Sequence, residues 1–262
     1  MTPLIVGNWK MNTTLEDARR LIGAMLPGLR ELSDDVEVVL CPPLPWLLEV
    51  KRLLEGTDTR LGVQNIHYAD GGAFTGEVSA RMLKGLGQYV LVGQYERRIF
   101  FDEKDGIVKR KLLAALQHGL KPILCVGETA DDLDDNAGGY VVAQQLEAAL
   151  EDVALDSRLT IAYEPVWTTI GMIQAPPPSY VGDMCEHVRE TLHDLFPRQP
   201  SEQVRVIYGG SVGPRTINSI LTEGKTDGVL TGSASVNADS FLSIARAFAN
   251  APSPSGRGFI QG

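Results

Sequence analysis

The chain has 262 residues, 44% hydrophobic and 22% charged, with a formal charge of -9. That balance provides enough apolar surface for a globular core. It excludes nucleic-acid and anionic-membrane partners, which need a basic face. Cys41, Cys125 and Cys185 form no C-x-x-C pair, so neither a disulfide framework nor a metal site is expected, and no cofactor motif appears. The first residues carry no basic leader and no stretch approaches the ~18 apolar residues of a membrane span, so the expected compartment is the cytoplasm.

In chain order, LIVGN (4–8) reads as a first strand, followed by TLEDARRLIGAMLPGL. There Leu15, Ala18, Ile22 and Met25 recur at helical spacing behind a Thr14 N-cap with Asp17 three residues on. Further short apolar runs follow at 36–42, 60–65, 89–93, 121–127, 159–165, 204–210 and 227–232. Each is apolar nearly throughout, as strands buried on both faces are. Eight βα units in about 250 residues predict an α/β fold of one domain, a closed (β/α)8 TIM barrel over residues 1–250. A Pro-, Ser- and Gly-rich tail at 251–262 is expected to be disordered.

Polar residues gather where these strands end: Asn8, Lys10, Gln64, Asn65, Gln94, Glu96, Glu128, Glu164 and Ser211. That is the face on which barrels carry out chemistry. Glu164, in AYEPVW, is a candidate general base, stiffened by Pro165. Taken alone it reads first as a surface glutamate that precedes a loop. Lys10 stands two residues beyond Asn8, so on an extended chain the two side chains leave the same face. The turns YGGSV and TGSAS, after the seventh and eighth strands, offer backbone N–H groups where barrels commonly bind phosphate.

These motifs come in the order GNWKMN, QN, GAFTGEVS, ERR, CVGET, AYEPVW and YGGSV, and with them the chain resembles the triosephosphate isomerase family over roughly residues 4–248. The resemblance implies an aldose-ketose isomerase for a small phosphorylated sugar, with Glu164 as the base. Lys10 would stabilise the enediolate and bind the substrate anion beside Asn8. It implies phosphate donors at Ser211, Gly232 and Ser233 and in the loop after Trp167, where Ile170 or Gly171 is the candidate. Glu96 and Arg97 would be supporting charges and Cys125 a packing residue near the base. The family's homodimer would carry Thr75 into a neighbouring active site.

Three positions depart from the family pattern. Gln94 stands where a catalytic histidine is expected, Tyr95 replaces a serine, and the loop TTIGMIQAPPPSY lacks the glycine-rich tip. A glutamine amide can still donate to an oxyanion, but it cannot lend and recover a proton near neutral pH. Tyr95 would constrain the base, reshape the pocket, or pack sideways with its hydroxyl in solvent. Three readings follow: an isomerase of triose phosphates slowed by Gln94, an isomerase of a related sugar such as a tetrulose phosphate, and a phosphate-binding homologue without activity. The first is preferred because Asn8, Lys10 and Glu164 occur together.

Overall fold

The computed structural model describes residues 1–32, 35–155, 157–168 and 175–251. Among these, eight parallel strands follow one another around a closed barrel: β1 (Leu4–Asn8), β2 (Glu37–Cys41), β3 (Arg60–Val63), β4 (Tyr89–Val92), β5 (Lys121–Val126), β6 (Thr160–Tyr163), β7 (Arg205–Tyr208) and β8 (Gly228–Thr231). Pairing of Leu4 through Gly7 with Gly228 through Thr231 closes the ring. Most strands are shorter than the apolar runs that predicted them, because the last residues of those runs leave the ladder to form the mouth. The expected tail, beyond Ala251, lies outside the described residues.

The near-continuous apolarity of the strands resolves into two cores. Leu4, Val6, Val39, Cys41, Leu91, Ile123, Cys125, Ala162, Ile207 and Leu230 fill the barrel interior. Their neighbours in sequence, such as Ile5, Leu40, Val90, Leu124, Ile161 and Val206, pack outward under the helices. A strand with both faces covered has no polar alternation to show. The first helix, Leu15–Glu31, begins with the expected capping box between Thr14 and Asp17 and buries Ala18, Ile22 and Met25. Among the described residues no helix is long and apolar enough to cross a membrane.

Candidate active site

The period of two along each strand delivers side chains to the mouth. Leu4 and Val6 point into the barrel, so Asn8 continues that row, and Ala162 places Glu164 in the same way. Ile207 and Leu230 are continued by Gly209 and Gly232, which leave room where the other rows project. A Cβ on Gly209 would come within 2.5 Å of the Glu164 Cγ, and one on Gly127 within 1.8 Å of the Glu164 carbonyl oxygen. Both positions must therefore be glycine for the Glu164 side chain and backbone to sit where they do.

Gln94 and Lys10 arrive differently. Gly93 has φ +76°, and this left-handed turn swings Gln94 inward just before the short helix Tyr95–Phe100. Lys10 itself has φ +51°, so the expectation that it follows Asn8 along an extended chain is corrected. The chain turns instead, and the strain is offset where the Lys10 N–H donates to Asn8 Oδ1 at 3.0 Å. Gln64 Nε2 donates to the carbonyls of Lys10 and Cys41, both at 2.9 Å, and holds this turn from behind.

The side chains then meet in a relay of hydrogen bonds. Asn8 Nδ2 donates to Gln94 Oε1 at 2.8 Å, and Gln94 Nε2 donates to Glu164 Oε1 at 3.1 Å. All three are buried, with exposures of 2%, 7% and 5%. Glu164 Oε2 is buried with no hydrogen-bond partner among the described residues. Burial, with the negative charge of Glu96 nearby, pushes the Glu164 pKa up to about 7, against the pull of Lys10 and the Gln94 amide. This is a carboxylate poised to take and return a proton near neutrality.

Lys10 supplies the cation. Its Nζ pairs with Glu96, lies 3.4 Å from the Tyr95 hydroxyl and stands 5.0 Å from the centre of that ring. Burial works most strongly against its charge, but Glu96, Tyr95 and Glu164 together outweigh it and raise the Lys10 pKa. Its stem lies along Gly232, where a Cβ would meet Cε at 3.2 Å. Asn8, Lys10, Gln94, Tyr95 and Glu164 line a cleft of about 290 Å3 together with Gly209–Val212 and Leu230–Ser233, including Ser211 and Ser233. The glycine turns thus lie directly against the polar side chains of the cleft, Gly209 beside Glu164 and Gly232 beside Lys10.

The sequence model of the triosephosphate isomerase family matches residues 3–248. The triosephosphate isomerase of Carboxydothermus hydrogenoformans is 41% identical over 247 residues, covering 93% of this chain and 98% of that one. The chain belongs to the triosephosphate isomerase family. The Chloroflexus aurantiacus triosephosphate isomerase is 44% identical over 245 residues, covering 92% and 97% of the two chains. The crystal structure of the Bartonella henselae triosephosphate isomerase superimposes with a TM-score of 0.84 at 35% identity, over 95% of this chain and 99% of that one.

Most residues that the triosephosphate isomerase pattern marks converge on this cleft, but not all. Arg97 is directed away from it and pairs with Glu103, which also holds the buried Lys111. Cys125 is buried inside the barrel, where burial first and Glu164 second push its thiol pKa well up and keep it inert. Thr75 stands exposed on its loop. Ile170 and Gly171 lie outside the described residues. None of the four histidines lines the cleft. Tyr95 is half-buried against Lys10, not packed sideways into solvent.

The resemblance gives Glu128 no role, yet three donors converge on its Oε1, while its buried Oε2 has no partner among the described residues. It is fully buried, and its Oε1 accepts from the Tyr163 hydroxyl (2.8 Å), Trp167 Nε1 (2.8 Å) and the Tyr180 hydroxyl (3.1 Å). It therefore clamps both flanks of the loop that follows the base. Its place at a strand end and in CVGET marks it in the sequence, but its three donors come from distant positions.

Proposed function

We propose that the protein interconverts glyceraldehyde 3-phosphate and dihydroxyacetone phosphate by proton transfer through an enediolate. The observation that carries this reading is the state of Glu164: buried, with its pKa raised to about 7, one oxygen held by Gln94 and the other unpartnered. The phosphate rests on the backbone of the Ser211 and Gly232–Ser233 turns. Glu164 takes the proton from the carbon beside the carbonyl and becomes neutral. The negative charge moves to the carbonyl oxygen, where the second N–H of Gln94 and the Lys10 ammonium meet it. Neutral Glu164 hands its proton to the newly charged oxygen, takes the proton of the adjacent hydroxyl, and delivers that proton to the neighbouring carbon, which completes the exchange between the two oxygens that an amide cannot relay.

The active assembly is a homodimer in the cytoplasm, with Thr75 reaching the neighbouring site. The exposure of Thr75 and of Phe74 beside it supports this, and a stable monomer in light scattering would contradict it. The activity is tested by a side-by-side assay on triose and tetrulose phosphates with Glu164→Ala as the blank. Turnover of triose phosphates is expected. Turnover confined to four-carbon sugars, or none with either, would overturn the reading.

A further inference from the structure

Residues 94, 95 and 96 open one short helix, and each touches a polar group of the cleft. Gln94 reaches Asn8 and Glu164, Glu96 reaches Lys10, and Tyr95, between them, also reaches Lys10. An ammonium on a flexible four-carbon stem has many rotamers, and a single ion pair at a solvent-facing mouth restrains it weakly. The Lys10 and Glu96 side chains keep 34% and 24% of their surface in solvent, so screening weakens that pair. A second contact is needed to fix where the charge stands.

We propose that Tyr95 is a positioning residue for the Lys10 ammonium: its hydroxyl and ring face hold the cation against the phosphate wall of the cleft. The hydroxyl oxygen, 3.4 Å from Nζ, accepts from the ammonium, and the ring face, 5.0 Å away, attracts it through the π quadrupole. Gly232 lies against the stem, so Lys10 meets both an aromatic ring and a phosphate-turn backbone. Because Gln94 serves the oxyanion without relaying protons, a fixed cation matters more here than at a site with a proton-relaying partner. This inference rests on the isomerase reading and adds the device that orders its cation.

The test compares Tyr95→Phe, which keeps the ring, with Tyr95→Ala, which removes both contacts, in the intact protein. Readouts are KM and kcat for triose phosphate, the Kd of inorganic phosphate, and Tm. Tyr95→Phe is expected to raise KM and the phosphate Kd together by roughly 3- to 10-fold, the worth of one ordinary hydrogen bond, with Tm little changed. Tyr95→Ala should add roughly another 2- to 5-fold through loss of the cation–π contact. In a Lys10→Met background, Tyr95→Phe should no longer change the phosphate Kd. An active parent whose variants lose Tm but keep KM and Kd would overturn the inference alone. A parent with neither turnover nor phosphate binding would overturn the isomerase reading, and the inference with it.

Discussion

The two ends of the barrel carry the same trio of side chains and use it to opposite effect. At the mouth Lys10 stands 3.4 Å from the Tyr95 hydroxyl, 5.0 Å from its ring centre, and pairs with Glu96. At the base, formed by the first residues of β2, β4, β5 and β7, Lys121 stands 3.5 Å from the Tyr89 hydroxyl, 5.1 Å from its ring centre and 3.7 Å from Glu37. The fourth group makes the difference. At the base it is Arg205, 2.8 Å from Glu37 Oε2, while the Tyr89 hydroxyl donates to Oε1 at 2.5 Å, so the carboxylate is saturated. At the mouth it is a second carboxylate, Glu164, and both it and Glu96 keep one buried oxygen unmatched among the described residues. A saturated trio closes the barrel floor, and the same trio beside an under-served carboxylate makes a reactive site.

The two carboxylates should therefore respond oppositely to pH. Burial raises the Glu164 pKa from 4.5 to about 7, so its contribution to stability is fully present below pH 4.5 and lost as pH rises through 7. Relative to the parent, Glu164→Gln should gain about 3 kcal/mol between pH 4.5 and pH 8 in denaturant titrations, while losing on the order of 10³-fold in turnover. Burial also disfavours the charge on Glu37, but Tyr89, Arg205 and Lys121 outweigh it and lower its pKa below the usual 4.5. Its stabilisation is present above 4.5 and lost as pH falls through its folded value. Glu37→Gln should thus destabilise the protein near pH 7, with the deficit fading on acidification and turnover unchanged. Matching signs for the two variants would break the comparison. In the parent, kcat/KM should rise with pH and level off above about 7.

A geometric version touches the mouth alone. Gly209→Ala pushes a methyl to 2.5 Å from the Glu164 Cγ, and the displaced base should cost roughly 100-fold in kcat. An activity within a few-fold of the parent would show that the base does not need this seat. A smaller effect on turnover is expected of Gln94→His, which restores a group able to relay protons and should raise the rate roughly 10-fold. An unchanged or lower rate would show that Asn8, which donates to the amide oxygen, and Tyr95 have fitted the site to glutamine.

Much of this was legible in the chain. The eight apolar runs and the helical spacing between them follow from local rules of periodicity and burial, which act within a few residues. The inward rows that end in Asn8 and Glu164 extend the same period of two. The Lys10 turn was not legible, because a lysine with positive φ carries no local mark. Nor was the clamp on Glu128, whose donors sit 35, 39 and 52 residues away.

Residue types and spacing established the barrel and the rim on which chemistry collects, since both depend on short-range patterns. The fold alone decided the rest. Whether a carboxylate is saturated, as at Glu37, or left short of donors, as at Glu164, depends on groups from separate strands that become neighbours only when β8 closes on β1. Desolvation and charge act through space, and so the same three residue types form a floor at one end and a reactive mouth at the other.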